Sequence, residues 1–358
     1  MSTITSEAQD LLWRAVADAD ESAAIAVLYY AMDEGLDEET LLLDVIAPVQ
    51  ERVGIEWAAD RITVAQEHAA TAINERAMAA LAHRQSVRPS QSAHRGRVTV
   101  ACIDGEWHSF PARLVSETLR LRGWHVDHLG AQTPTPHLVA HLHRTGSDAV
   151  LLSSSLPTRL PTAHAAITAC QAIGVPVMAG GRAFGPDGRY AHELGVDRWA
   201  PDARTAATAL EAGLDRPAPA AIRQTIDDLP HLEDQEYTLV VQNRAQLIKQ
   251  TLADLEDLFP AMRTYSTAQR DRTTEDLAHI VDFLATALYV DDAELFTTFT
   301  AWTAGILTAR HVPVASLRLG LDVLAGQLRD FPRALTFLTA ATDALHTTSD
   351  HTGPGTTA

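Results

Sequence analysis

Cysteine is nearly absent. Cys102 and Cys170 are the only two in 358 residues, too few for a disulfide framework, so the expected home is a reducing cytoplasm. No apolar run approaches the ~20 residues that span a bilayer. The N-terminus lacks the basic segment and apolar core of a secretory signal, so no membrane partner is expected. Clustered positive charge is missing too. The net charge is −18, with 16 acids and 5 bases in residues 1–85, 11 and 13 in residues 86–220, and 19 and 10 in residues 221–358. Two acidic flanks exclude the basic face that direct nucleic-acid binding needs, and they divide the chain into three parts. What is present, at 46% hydrophobic residues and a mean hydropathy of −0.05, is a globular chain long enough for two or three cores.

Residues 1–85 read as a four-helix bundle. Helices are expected over 8–19 and 21–34, and a third from Leu36–Thr40 through Val53, where Gly54 interrupts or caps it. The fourth starts at Thr63, where Thr63-Val64-Ala65-Gln66 is a capping-box pattern. Trp57 lies between the last two helices, and Glu67-His68 follows ten residues after it. Taken singly these are an interface tryptophan and an exposed helix pair. Residues 84–96, with Pro89, read as a linker.

The middle third, residues 97–215, alternates strands and helices. The strands read Val98–Ile103, Trp124–Leu129, Ala149–Ser153, Val175–Ala179 and Val196–Trp199, with helices near 112–122, 136–145, 162–173, 187–194 and 203–213. This predicts a doubly wound, flavodoxin- or Rossmann-like parallel sheet of five strands in the order 2-1-3-4-5. Three unusual loops then fall at its carboxyl edge: Glu106-Trp107-His108, Ser153-Ser154-Ser155-Leu156-Pro157 and Gly180-Gly181-Arg182. A carboxylate two residues before a histidine fixes its tautomer and raises its basicity, as an axial metal ligand requires. The glycines allow a flat ligand to come close to the backbone.

These loops resemble the cobalamin-binding domain of methionine synthase and its relatives. The resemblance implies that His108, held by Glu106, replaces the cofactor's dimethylbenzimidazole as lower cobalt ligand. The displaced tail would enter a pocket formed by Ser153 and Ser155 along a path past Gly180 and Gly181, and Arg182 is a further candidate cobalamin contact. Pro111 stands where that family usually has glycine. Trp57 with Glu67-His68 is similar to the pattern of light-sensing adenosylcobalamin proteins, including the CarH-type repressors, in which these residues surround the adenosyl group. Ala58 replaces the histidine that follows the Trp in those repressors, and no DNA-binding domain precedes the bundle.

Past a proline-alanine linker at 214–222, residues 225–346 read as helical, over 232–258, 274–290, 292–309, 313–329 and 331–346, with breaks at Pro260, Pro313 and Pro332. Residues 347–358 read as a disordered tail. By itself such a region serves dimerisation or docking. The order of bundle, cobalamin domain and helical, globin-like tail resembles the photocobilins, which carry adenosylcobalamin and biliverdin. That resemblance implies a light sensor and not an enzyme, forming a light-dependent homo-oligomer that signals to an unidentified downstream partner. It also implies a bilin in the tail, bound without a thioether because both cysteines lie in the sheet domain. Candidate bilin contacts are His279, Tyr289, Trp302 and His311, and haem is the competing ligand. The rival readings are a corrinoid carrier for methyl transfer and a B12-dependent anti-repressor that binds a transcription factor.

Overall fold

The computed structural model describes residues 3–86, 95–215 and 234–350. The chain divides into two units, Met1–Arg223 and Gln224–Ala358.

Helical periodicity at the start of the first unit resolves into α1 (Thr3–Ala17), α2 (Glu21–Asp33), α3 (Glu38–Thr40), α4 (Ala47–Ala58) and α5 (Val64–Ser86). Leu41–Ile46, between α3 and α4, is π-helical. Pro48 accounts for part of this irregularity: it has no N–H to offer the carbonyl of Asp44, four residues back, and the Gln9 side chain donates to that carbonyl instead. Asp20 and Asp37 cap α2 and α3. Thr63 and Gln66 form the expected capping pair, Gln66 N donating to Thr63 Oγ1 at 3.2 Å and Thr63 N to Gln66 Oε1 at 2.9 Å. Leu12, Leu28, Leu41, Ile46, Val53 and Met78 bury one core, which Phe110 from the following domain completes. Gly54 neither interrupts nor caps the third helix. It lies inside α4, where packing of Val49 and Val53 on that core overrides its low helix propensity.

The sheet follows, with β1 (Arg97–Cys102), β2 (His125–Gly130), β3 (Ala149–Ser153), β4 (Val177–Gly180) and β5 (Arg198–Trp199). All pairs are parallel and the order is β2-β1-β3-β4-β5, as the alternation predicts. The crossover helices are α6 (Ser109–Leu121), α7 (Thr135–Thr145), α8 (Leu160–Ala172), α9 (Arg189–Glu193) and α10 (Ala203–Ala212). Ala112 and Leu119 of α6 and Ala206, Ala207 and Leu210 of α10 pack on Val98, Val100, Leu151 and Met178. Right-handed crossovers send the intervening helices to the opposite face. Register sets the site: Cys102 pairs with Ser153, and Ser153 with Gly180, so the three loops leave the sheet side by side. β5 is shorter than expected, although Asp197 N still donates to Val177 O at 3.1 Å, and the Asp197 carboxylate accepts from Val177 N at 2.7 Å.

Ion pairs add to the packing of Phe110 in holding the N-terminal helices to the sheet domain. Arg122 donates to Glu39 at 2.9 and 3.0 Å, Arg204 donates to both oxygens of Asp44, and Arg182 Nη2 donates to Glu51 at 2.6 Å.

The second unit contains α11 (Glu236–Gln242), α12 (Arg244–Leu258), α13 (Thr267–Val290), α14 (Ala293–Ala309), α15 (Val314–Gln327) and α16 (Pro332–Asp350). The single helix expected over 232–258 is broken at Asn243, between α11 and α12. α13 starts seven residues before the expected 274, at a Ser266–Gln269 capping box. Leu277, Ile280, Val281, Leu284 and Leu288 form its buried stripe, as expected. The buried Glu236 carboxylate accepts from the N–H groups of Arg333 and Ala334, satisfying orphan donors of α16. α16 continues through Asp350, so the stretch read as tail begins helical. Residues 351–358, and most of the two expected linkers (87–94 and 216–222), lie outside the described residues.

Candidate functional site

At the end of β1 the chain turns through Gly105 and reaches His108, the N-cap position of α6. Glu106 between them is 0% exposed. One carboxylate oxygen, Oε1, accepts from His108 N at 2.9 Å and from the His108 ring, at Nδ1, at 2.7 Å. The other, Oε2, accepts from Ser155 N at 2.7 Å, Leu156 N at 3.0 Å and Ser154 Oγ at 3.1 Å. Burial would raise the Glu106 pKa, but the bonds from the His108 ring and from the His108, Ser155 and Leu156 N–H groups outweigh it and hold the pKa at about 2. That carboxylate in turn raises the His108 pKa against the effect of burial, with the more distant Glu67 charge adding to the shift. Because Nδ1 is committed to Glu106, Nε2 is the available nitrogen, on a side chain that is 55% exposed.

The serine loop serves this histidine in a way the sequence did not reveal. Ser154, fully buried, supplies the hydroxyl to Glu106, whereas Ser155 supplies its backbone N–H. Ser153 instead lines a cavity of about 290 Å³, together with Val100, Pro111, Ala112, Val115, Leu151, Met178, Gly180 and Gly181. The cavity is mostly apolar and runs between the sheet and the α6–α10 face, and Leu43 and Ala47 of the N-terminal helices also border it. Gly181 has φ +105°, and a Cβ there would stand 2.2 Å from Ser154 O. A Cβ on Gly180 would meet Ala200 O at 2.9 Å. These glycines are therefore required by loop-to-loop packing, whatever room they also leave for a ligand. Arg182 is largely exposed and reaches Glu51 on α4.

Trp57 is half-buried near the end of α4, and Glu67-His68 lies in the first turns of α5. The Glu56–Arg61 ion pair closes the turn between them. His68 Nδ1 bonds Glu67 Oε2 at 2.6 Å on an exposed ring, and Thr71 donates to Glu67 Oε1 at 3.0 Å. From Thr71 a polar chain runs inward, Gln50 donating to Thr71 and buried Asn74 donating to Gln50. Trp107, which no spacing argument marked, is 68% exposed beside His108.

In the second unit Tyr289 stands apart from His279, and nothing brings all four candidate residues into one slot. His279, on α13, and His311, just past α14, are exposed, and Trp302 on α14 is 52% exposed. Phe299 stacks on Phe283 at 3.7 Å and lies 6.4 Å from Trp302. Tyr289 is buried against Tyr237 at 4.9 Å near the other end of α13, ten residues and about 15 Å along the helix from His279. Both cysteine thiols are buried. Burial, with the Glu106 charge adding at Cys102, pushes each thiol to about 12.

The donor set suits a metal held in a macrocycle. Among the described residues no group of three or more His, Cys, Asp and Glu is placed to hold a metal ion, whereas His108, oriented by Glu106, offers one nitrogen. One oriented imidazole beside an apolar slot is what a corrinoid with a displaced base requires.

Residues 96–211 match the model of a family described as a B12 binding domain, and residues 8–82 match a second model, also described as a B12 binding domain. The chain thus contains B12-binding domains on both sides of the first linker. No curated protein matches it. Solved structures similar to it include the monomethylamine corrinoid protein of Methanosarcina barkeri (20% identity, 58% of this chain and 99% of that one, TM-score 0.49). A methanol:cobalamin methyltransferase complex from the same organism matches at 17% identity over 57% and 79% of the two chains, TM-score 0.31. A cobalamin-binding protein of Desulfitobacterium hafniense matches at 18% identity over 58% and 97%, TM-score 0.32.

Proposed function

We propose that this B12-binding chain is a light sensor that holds adenosylcobalamin, and that it is not an enzyme. His108, oriented by Glu106, would take the lower axial position, and the cavity lined by Ser153, Pro111, Gly180 and Gly181 would receive the displaced base. When bound, adenosylcobalamin supplies a cobalt–carbon bond that visible light breaks.

The observation that favours a sensor over a methyl carrier is the α4–α5 corner. It places an aromatic residue, Trp57, and a hydrogen-bonded Glu67–His68 pair on adjoining helix ends, and the Glu67 charge reaches His108. An aromatic face and a polar pair suit a nucleoside, whereas a methyl group uses neither. Ala58, next to Trp57, carries no donor atom, and His68 is the nearest imidazole in sequence. Removing a nucleoside from Trp57 takes away its packing partner, so the α4–α5 corner has a different preferred position with and without it. That difference would drive a light-dependent change of homo-oligomer and the signal to a downstream partner. The C-terminal unit, in this reading a globin-like domain, would carry biliverdin non-covalently.

Adenosyl- and methylcobalamin are to be titrated into the full chain in the dark, followed by sizing before and after green light. The expected result is tighter binding of the adenosyl form, a preference erased in Trp57→Ala, and a change of species on illumination. Equal binding of both forms, with one species throughout, would turn the assignment to the corrinoid carrier.

A further inference from the structure

Arg159 is the unusual cation of the sheet edge. It closes the 3-10 turn Pro157–Arg159 that follows the serine loop, and its guanidinium lies against Gly105, in the loop that carries His108. A Cβ on Gly105 would stand 2.9 Å from Arg159 Nη1 and 3.0 Å from Cζ, so the glycine at φ +78° is what admits the arginine. Its Nε is buried without a hydrogen-bond partner. No carboxylate among the described residues lies within ion-pair distance of it, and the adjacent Glu106 is already saturated by five donors. The side chain is half-buried, so its terminal Nη groups, which have no carboxylate partner either, are the part that an acceptor oxygen from outside the chain can reach.

We propose that Arg159 is a ligand-recognition residue that donates to an acceptor oxygen on the periphery of the bound corrinoid. This rests on the cobalamin reading above. Two parts of that ligand carry such oxygens: the amide-ended arms of the ring, and the phosphodiester that joins one arm to the nucleotide. Arg159 follows the loop that holds Glu106, and its guanidinium meets the His108 loop at Gly105, whereas the imidazole is held by Glu106. It therefore contributes to affinity and choice of corrinoid, and not to cobalt ligation.

The test uses the full-length protein, titrated in the dark with adenosylcobalamin and with cobinamide, which lacks the nucleotide and its phosphodiester. Wild type, Arg159→Gln and Arg159→Lys are compared, with thermal unfolding of each recorded alongside. Arg159→Gln is expected to weaken adenosylcobalamin binding at least about tenfold, the value of a charge-assisted hydrogen bond. Arg159→Lys should recover part of the loss, and the histidine-ligated absorption spectrum should be unchanged at saturation. Cobinamide affinity left intact in Arg159→Gln identifies the phosphodiester, and a matching loss identifies the ring amides. Affinities within twofold of wild type for both ligands overturn the proposal. So does loss of the histidine-ligated spectrum or of thermal stability in both variants, which would make Arg159 a support of the loop. If the wild type binds neither corrinoid, the cobalamin reading itself fails, and this proposal with it.

Discussion

Glu106 spends its accepting capacity inside the protein, on the ring and N–H of His108 and on the Ser154 hydroxyl and the Ser155 and Leu156 N–H groups of the neighbouring loop. A glutamine has one oxygen and one NH2 group. In Glu106→Gln, therefore, either the His108 side or the Ser155–Leu156 side faces a donor with a donor. The expected outcome is corrinoid binding weakened about 10–100-fold, the usual cost of losing an outer-shell partner of a metal ligand, with a larger loss in His108→Ala. Spectral titration measures both, and an unchanged affinity in Glu106→Gln would remove the carboxylate from this role. The Glu106–His108 pair was legible in the sequence because both partners sit in one loop. Ser154 was not, because three consecutive serines differ only in the direction each side chain takes as the strand ends. Arg159 was hidden for a similar reason: nothing in its spacing shows that Gly105 leaves it room.

Among the elements, strands and their order were readable, since apolar runs separated by helical stretches permit few right-handed topologies. The irregular third helix was not. Gly54 looks like a stop signal, yet the bond lost to Pro48 is met from Gln9, and the helix passes the glycine with its apolar stripe on the core. The Ser266–Gln269 capping box stood in the sequence but lay outside the apolar stripe used to place the helix. The joint between the N-terminal helices and the sheet domain carries ion pairs beside its apolar packing, and charge responds to acid. The Arg122 hydrogen bond holds the Glu39 carboxyl below its ordinary range, against the opposing effect of partial burial, with the Arg122 and Arg204 charges adding. A depressed carboxyl contributes stability that is fully present above its unfolded pKa of about 4.3 and is lost as pH falls through the lower folded value. Wild type should thus exceed Glu39→Gln in denaturant midpoint near neutrality, and the difference should shrink below about pH 4.3. A gap that stays constant from pH 7 to pH 3 would show that Glu39 does not bias this joint.

On the scale of the whole molecule, neither B12-binding family model extends past residue 211, and the second unit has to be judged by its own chemistry. Its helices were legible from prolines and apolar stripes, but a binding slot was not, because the same stripe serves core and pocket alike. A bilin in this unit has no thiol to attach to: Cys102 and Cys170 lie in the first unit, buried, with pKa values of about 12, so neither offers a thiolate near neutral pH. Retention then depends on flat apolar surface and polar contacts. Half-exposed Trp302, beside buried Phe299, offers such a surface, whereas Tyr289 is packed on Tyr237 elsewhere. Trp302→Ala should therefore lower biliverdin affinity severalfold, while Tyr289→Phe should leave it near wild type. Red absorbance of the full chain mixed with biliverdin measures the affinity, and a denaturing gel stained with zinc should show no fluorescent band. A band on the gel would mean a covalent link that these thiols are not placed to form. A Soret peak on adding haem, with no response to biliverdin, would make the unit a haem domain, and Tyr289→Phe losing affinity as Trp302→Ala does would move the pocket to the Tyr237 end of α13.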